Sequence, residues 1–331
     1  MTDQPNSPLL KIEDLSVRFR TDEGEVEALD QVSLDVRHGQ TVGVVGESGC
    51  GKSVTAYSIM RLLPRPIGKI TSGRILFQGK NLLDLDADEM QGIRGNEIGM
   101  IFQEPMNALN PVQKVGTQLC EVFYLHEQSE SHQAWSNSIN MLDAVGIPSP
   151  ENRMHEYPHQ LSGGMRQRVV IAMALACKPK LIIADEPTTA LDVTVQAQIL
   201  ELLQNLRRDL GSSVLLITHD LGVIAETCDQ VCVMYAGRIV ERGPTAKIFS
   251  SPRHAYTQDL LASIPQLHGT PKTRLKTIEG IVPGLSDLNN GCRFGPRSGR
   301  LHSEEHLSRR PKFIEISNDH WVEACPVCTS A

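Results

Sequence analysis

One octapeptide near the start of the chain has the composition and spacing of a phosphate-binding loop. The sequence GESGCGKS, from Gly46 to Ser53, fits the pattern G-x-x-x-x-G-K-[ST] and follows the short apolar run TVGVVG. Glycines let the backbone fold tightly, so that its N–H groups converge on phosphate oxygens at the start of a helix. Lys52 is expected to reach the β- and γ-phosphates of a nucleotide, and Ser53 to ligate Mg²⁺. The residues predicted to contact ATP are Gly46, Glu47, Ser48, Gly49, Cys50, Gly51, Lys52, Ser53 and Val54.

Acidic residues end a second apolar run, and their position favours phosphate hydrolysis. The segment KLIIADEP is typical of a buried strand, and it ends in Asp185 and Glu186. Because successive strand residues point to opposite faces, the two acids can serve two purposes. We expect Asp185 to hold Mg²⁺ and Glu186 to orient and polarise the attacking water. His219 ends another apolar run, SVLLITHDL; it is a candidate contact to the γ-phosphate, although a histidine there is more often structural.

A second glycine-containing stretch also suits an anion but has no lysine. In QLSGGMRQRVVIAMALA, the hydroxyl of Ser162 and the backbone N–H groups of Gly163 and Gly164 precede a strongly helical run. A neighbouring chain could supply the missing lysine. The sequence therefore predicts a head-to-tail pair, with each nucleotide between the phosphate loop of one domain and the LSGG segment of the other.

Hydrophobic periodicity indicates the elements that must position these residues. Alternation from Leu9 to Arg20 predicts a strand, and helices are expected over about Val54–Leu63 and Val193–Leu210. Residues 104–168 are more polar and mainly helical in pattern. The regular α/β pattern weakens after Phe249, although AYTQDLLASI is still typical of a helix, which suggests a boundary near Pro252 and a tail of about 80 residues.

Composition excludes several classes of protein. The chain has 331 residues, of which 40% are hydrophobic and 21% charged, and its net charge is −7. This acidic balance argues against nucleic acid as a partner. No apolar run approaches the ~18–20 residues that span a bilayer, and the first residues, MTDQPNSPLL, are not typical of a secretory signal. We expect a cytosolic protein whose association with a membrane depends on a partner.

The order of these motifs resembles that of ABC ATPases over residues 9–250. The phosphate loop is followed by MIFQEP, LSGGM, LIIADEP, the TALD segment and His219. The resemblance implies an α/β fold: a P-loop NTPase (ABC ATPase) core with an antiparallel β subdomain and a helical subdomain inserted at about 104–168. It also implies that Gln103 senses Mg²⁺ and water and links the site to a membrane partner. Contacts to ATP across a dimer interface are implied for Ser162, Gly163, Gly164 and Asp192. The family places an aromatic residue on adenine where Phe19 lies, although a phenylalanine at a strand end is as often part of the core.

Longer segments narrow the resemblance to the ATPase subunits of bacterial oligopeptide and dipeptide importers. They include GESGCGKSVTAYSIMRLLP, MYAGRIVERGP and, in the tail, SPRHAYTQDLLASIP and NGCRFGPR. Residues 251–331 then form the C-terminal extension of the peptide and nickel branch, and its length favours peptides. The implied partners are a second ABC ATPase subunit in a heterodimer, two membrane-spanning permease subunits and, indirectly, an extracytoplasmic solute-binding protein. The implied location is peripheral, on the cytoplasmic face of the inner membrane. Import of nickel or another small solute is the alternative.

Two other functions fit the sequence less well. Soluble ABC ATPases of DNA repair or translation usually carry two ATPase domains or a long coiled-coil insertion, and this sequence has neither pattern. A catalytically inactive subunit would not need Lys52, Asp185, Glu186 and His219.

The tail departs from the metal-binding pattern of the branch that it resembles. That pattern has four cysteines spaced for a 4Fe-4S cluster, with the first at Cys292 and the last at Cys325. Ser298 occupies the second position, and the third has no counterpart. Cys328 adds a C-x₂-C pair, and the nearby histidines are His302, His306 and His320. A Cys/His set suits zinc better than a cluster. We expect a degraded site, or small buried cysteines, rather than an intact 4Fe-4S cluster.

Overall fold

The computed structural model describes residues 7–22, 24–104, 108–188, 192–264 and 277–330. They fall into two compact units. The first consists of the described residues within 1–36, 41–83 and 217–331, and the second of those within 37–40 and 84–216.

A four-stranded antiparallel sheet forms one part of the first unit, with the strand order β2-β1-β4-β5. Its strands are β1 (Leu10–Thr21), β2 (Gly24–Val36), β4 (Gly68–Phe77) and β5 (Lys80–Asn81). On β1, Leu10, Ile12, Leu15 and Val17 are buried. This sheet is the antiparallel β subdomain that the family resemblance implied.

The other part of the first unit has five strands in the order β11-β12-β10-β9-β3. They are β3 (Thr41–Val45), β9 (Gln230–Tyr235), β10 (Arg238–Pro244), β11 (Phe313–Ser317) and β12 (His320–Glu323). β3 and β9 are parallel, whereas the later pairs are antiparallel. Helices of this unit are α1 (Lys52–Ile59), α8 (Leu221–Thr227), α9 (Thr245–Ser250), α10 (Ala255–Ala262) and α11 (Glu304–Ser308). All five residues of β3 are buried, which explains its continuous apolar sequence.

The second unit contains three strands in the order β8-β7-β6 and most of the helices before residue 216. The strands are β6 (Ile98–Ile101), β7 (Leu181–Asp185) and β8 (Ser213–Ile217). The helices are α2 (Ala87–Ile93), α3 (Val115–Glu127), α4 (Ser131–Ala144), α5 (Pro150–Arg153), α6 (Gly163–Leu175) and α7 (Val193–Leu210). β6 and β7 are parallel, and every residue of β7 is buried.

Most elements lie where the sequence predicts them, and the differences have local causes. The helix expected over 54–63 is Lys52–Ile59, because Arg61 takes a left-handed φ of 51° and Pro64 cannot continue a helix. α7 has its predicted bounds, since Asp192 caps its first turn and Gly211, with φ 65°, ends it. The tail, whose pattern predicted one helix, also supplies β11 and β12.

Among the helices of the described ranges, none is both long enough and apolar enough to cross a membrane.

Candidate nucleotide site

The phosphate loop joins β3 to α1 and is tightly seated. A Cβ on Gly46 would lie 2.1 Å from the carbonyl oxygen of Met234, and Gly51 has a φ of 106°. Only glycine meets both demands without a shift of the backbone. The helix begins at Lys52, as the motif requires.

Lys52 is buried inside this loop. Its Nζ donates to the carbonyl oxygens of Gly46, at 2.8 Å, and Glu47, at 3.0 Å, and only 5% of the residue is exposed. The neighbouring Cys50 is also buried, and burial raises the pKa of its thiol. The lysine is therefore the cation at the centre of the loop, while the cysteine stays neutral.

The C-terminal part of the chain holds the loop from outside, which the sequence did not predict. The backbone N–H of Glu47 donates to Oη of Tyr256 at 3.0 Å. Arg297 donates to both carboxylate oxygens of Glu47, at 2.7 and 3.2 Å. Burial alone would lower the pKa of Arg297, but its hydrogen bonds to Glu47 outweigh it and raise the guanidinium pKa above its usual value. These contacts bridge more than 200 residues of sequence and carry no local signal.

Three aromatic rings support these two contacts. Tyr235 lies 4.6 Å from Tyr256 and 5.3 Å from Phe294, between ring centroids, and Phe294 lies 5.3 Å from Tyr256. The guanidinium of Arg297 lies 5.8 Å from the centroid of Tyr235. All three rings are essentially inaccessible to solvent. We call Tyr235, Tyr256, Phe294 and Arg297 the loop brace.

Two further residues of the predicted site, His219 and Phe19, lie near strand ends in the first unit. Thr218 donates its backbone N–H to Val44 at 3.3 Å, so the chain entering His219 runs beside the strand that leads into the phosphate loop. Phe19 is half-buried near the end of β1, and a Cβ on its neighbour Gly68 would lie 2.9 Å from its ring. The ring thus covers a glycine, with part of its surface open.

The acidic residues lie in the second unit, where the structure pairs Glu186 with Gln103. Asp185 ends β7 and is fully buried. Glu186 follows it with a left-handed φ of 45°, and its Oε2 accepts a hydrogen bond of 3.1 Å from Nε2 of Gln103. Positive φ in a residue other than glycine stores strain that clusters at functional sites. This hydrogen bond fixes the orientation of the Glu186 carboxylate, as contact with an attacking water would require.

The LSGG segment opens α6 as a capped helix. Ser162 accepts a hydrogen bond from the N–H of Met165 at 3.3 Å, and both Ser162 and Gly163 are exposed. A Cβ on Gly164 would lie 3.0 Å from Val195, so the glycine permits close contact with α7. An open helix start with a capping serine is suited to an anion.

Asp192 caps α7, and Gln167 connects α6 to the loop that follows β7. Asp192 caps α7 by accepting from the N–H of Val195 at 3.0 Å. It is the one residue of the TALD segment that lies within the described ranges. Gln167 of α6, which is 1% exposed, donates to the carbonyl of Pro187 at 2.6 Å. The LSGG helix therefore contacts the loop that carries Glu186, through a residue that stands in none of the motifs of the sequence.

Four ligand atoms in the tail converge within the first unit. Single ligand atoms of the four side chains all lie within 4.8 Å of one another; we call this set the Cys₃His cluster: Cys292, His302, Cys325 and Cys328. His320 lies elsewhere, with its Nε2 2.8 Å from Glu241. His306 belongs to the cap of α11. Of the three candidate histidines, only His302 joins the cysteines.

The phosphate loop, the acidic strand end and the helix opened by LSGG define an ATP-binding cassette. A family model described as "ABC transporter" matches residues 29–189. A second, described as "Oligopeptide/dipeptide transporter, C-terminal region", matches residues 240–303.

Known proteins that are similar to this chain belong to the same class. The oligopeptide transport ATP-binding protein OppD of Bacillus subtilis is 50% identical over 96% of this chain and 88% of its own length. The dipeptide transport ATP-binding protein DppD of the same species is 52% identical over 87% and 86%. A solved ATP-binding cassette, dimeric and bound to ADP and Pi, has a TM-score of 0.64 and 28% identity, over 71% of this chain and 98% of its own. The chain belongs to the family of ABC transporter ATP-binding proteins of the oligopeptide/dipeptide type, and it is an ATPase.

Proposed function

We propose that this chain hydrolyses ATP to drive the import of dipeptides or oligopeptides. The observation that carries the proposal is the identity of about half of all residues with peptide transport ATP-binding proteins, which extends through the tail. Residues 9–250 would form the ATPase domain, with the helical subdomain at about 104–168, and residues 251–331 the extension. Transport requires membrane-spanning permeases, and this chain would sit beside them on the cytoplasmic face of the membrane.

We assign to each residue of the candidate site the role that the family resemblance implies. Lys52, already buried among loop carbonyls, would exchange those contacts for the β- and γ-phosphates. Glu186, held by Gln103, would position the attacking water. His219 would contact the γ-phosphate, and Phe19 would stack on adenine. The remaining loop contacts would come from Gly46 to Val54.

The residues proposed to hold Mg²⁺ offer suitable ligands. Ser53, Gln103 and Asp185 provide a hydroxyl, an amide and a carboxylate oxygen, which are the hard ligands that Mg²⁺ prefers. When bound, Mg²⁺ would neutralise charge on the phosphates.

A second cassette would complete the site. Ser162 and Gly163 are exposed at an open helix start that has no lysine of its own, so they would contact an ATP bound to another phosphate loop. Asp192 would act at the same interface. The dimeric form of the solved cassette supports this arrangement. We propose a heterodimer with a related cassette, in which ATP draws the two chains together and hydrolysis releases them.

Uptake in cells tests the transport function. We expect deletion of the gene to abolish uptake of labelled di- and oligopeptides, and wild-type chain to restore it. The Glu186→Gln chain, expressed at equal level, should not restore uptake. Loss of nickel uptake with unchanged peptide uptake would instead establish the alternative solute.

A further inference from the structure

The Cys₃His cluster joins three separate stretches of the tail. Cys292 precedes a short 3₁₀ helix at Gly295–Arg297, and His302 follows it. Cys325 and Cys328 come after β12. The three cysteines are buried, with at most 1% of each exposed, and all are free thiols. Packing alone does not require four soft or borderline ligands to converge on one point.

Two sulfur–nitrogen distances of the cluster are close to those around a single tetrahedral ion. Nε2 of His302 lies 3.6 Å from Sγ of Cys325 and 3.3 Å from Sγ of Cys328. Zinc bound by sulfur and nitrogen at its usual bond lengths places such ligand atoms about 3.5–3.8 Å apart. Small movements of the side chains would therefore complete a zinc site.

The histidine already presents the correct nitrogen. Nδ1 of His302 lies 2.9 Å from the carbonyl oxygen of Arg300. Because a carbonyl only accepts hydrogen bonds, Nδ1 must carry the proton, and Nε2 of the neutral ring is left with a lone pair. That lone pair faces the cysteine sulfurs. A carbonyl that fixes the tautomer of a histidine ligand is a usual feature of zinc sites.

Backbone contacts support the sulfur ligands. The N–H of Cys328 donates to Sγ of Cys325 at 3.4 Å, and the N–H of Cys325 donates to the hydroxyl of Thr329 at 3.1 Å. The C-x₂-C turn is thus held in one conformation, with both sulfurs directed to the same point.

The same residues do not fit a 4Fe-4S cluster. The second cysteine of that pattern is replaced by Ser298, whose hydroxyl donates to the carbonyl of Gly295 at 2.8 Å. Two of the four ligands present, His302 and Cys328, lie outside the pattern. An iron–sulfur cube held by four thiolates also needs a wider cage than one in which the ligand atoms all lie within 4.8 Å.

We propose that the Cys₃His cluster binds one Zn²⁺ and that this ion anchors the loop brace. Phe294 and Arg297 of the brace lie between Cys292 and His302 in sequence. The N–H of Ala255, next to Tyr256, donates to the carbonyl of Cys328 at 2.7 Å. The zinc would therefore clamp both segments from which the tail contacts Glu47.

Metal content tests the site in the full chain. We expect chain expressed with equal zinc and iron in the medium to contain about one zinc and neither iron nor acid-labile sulfide. Replacement by Co²⁺ should give the absorption of a tetrahedral thiolate complex. Four irons with matching sulfide, or a disulfide between two of the three cysteines found by mass spectrometry of the freshly isolated chain, would overturn the proposal.

Two matched histidine variants distinguish a loss of zinc binding from a general loss of stability. His302→Gln should lose zinc and lower the melting temperature, and chelation should then have no further effect. His306→Gln is the matched control, since its ring lies 6.1 Å from that of His302 but outside the cluster, and it should keep the zinc. His302→Cys should restore zinc binding as a Cys₄ site. Should His302→Gln fail to fold, stoichiometric zinc release on titration of the wild-type thiols decides the question.

Results that contradict the zinc proposal can be distinguished from results that contradict the transport function. Equal zinc content in His302→Gln and wild type would overturn it, whatever the ATPase activity. If zinc is present but its removal leaves ATP affinity and melting temperature unchanged, the anchoring role is wrong.

Discussion

One contact of the loop brace can be tested by removing a single atom, the hydroxyl oxygen of Tyr256. Tyr256→Phe removes Oη, which accepts the N–H of Glu47 at 3.0 Å, while the ring can keep its packing against Tyr235 and Phe294. A lost intramolecular hydrogen bond costs about 1 kcal/mol, and a buried donor left without a partner up to about 3 kcal/mol. Because Glu47 is half-buried, water can replace part of the contact, and we expect about 1 kcal/mol.

That loss should weaken ATP binding, since the first turn of the phosphate loop would no longer be held in place before the nucleotide arrives. A cost of about 1 kcal/mol corresponds to a roughly 5-fold rise in Kd. Titration with a fluorescent ATP analogue measures it, and urea unfolding measures the accompanying stability. Tyr235→Phe is the control, because its hydroxyl contacts only Arg297 in the brace, at 3.4 Å. Equal ATP affinity in both variants and wild type would refute the bracing role.

Two substitutions in the first unit test the seating of the loop and the buried charges beside it. Gly46→Ala places a methyl group 2.1 Å from the carbonyl of Met234, so it should cost about 1–3 kcal/mol of stability and weaken ATP binding; unchanged values in thermal and nucleotide titrations would contradict this. Asp30→Asn removes the carboxylate that Arg238 and Arg293 each contact at 2.8 Å, so urea unfolding should show a loss of about 3 kcal/mol. Burial would raise the pKa of Asp30, but those arginines outweigh it and lower it, so its stabilisation should be present at neutral pH and be lost in acid as the pH falls through the lowered pKa. A wild-type chain whose acid unfolding matches that of Asp30→Asn would exclude this contribution.

The local features of the site could be predicted because short-range physics determines them. The glycines and Lys52 of the phosphate loop, the buried strand that ends in Asp185 and the bounds of α7 each depend on a few adjacent residues. The end of α1 was missed because a left-handed φ at Arg61 has no clear signal in a residue other than glycine.

Contacts between distant segments could not be predicted in the same way. Tyr256 and Arg297 contact Glu47 across 209 and 250 residues, and neither stands in a motif. His302 became distinguishable from His306 and His320 only when folding brought β12 beside β10 and placed the C-x₂-C turn near the 3₁₀ helix. The sequence supplied the ligand types, and topology selected the set.

The central claim is that one cassette holds only part of the nucleotide site. Its most direct test is the mass of the Glu186→Gln chain in the ultracentrifuge, alone and with the second cassette of its transporter. The account predicts paired cassettes with ATP and separate ones with ADP, and Ser162→Arg should prevent pairing while the phosphate loop still binds ATP. A wild-type chain that hydrolyses ATP at full rate while it remains a single cassette would contradict it.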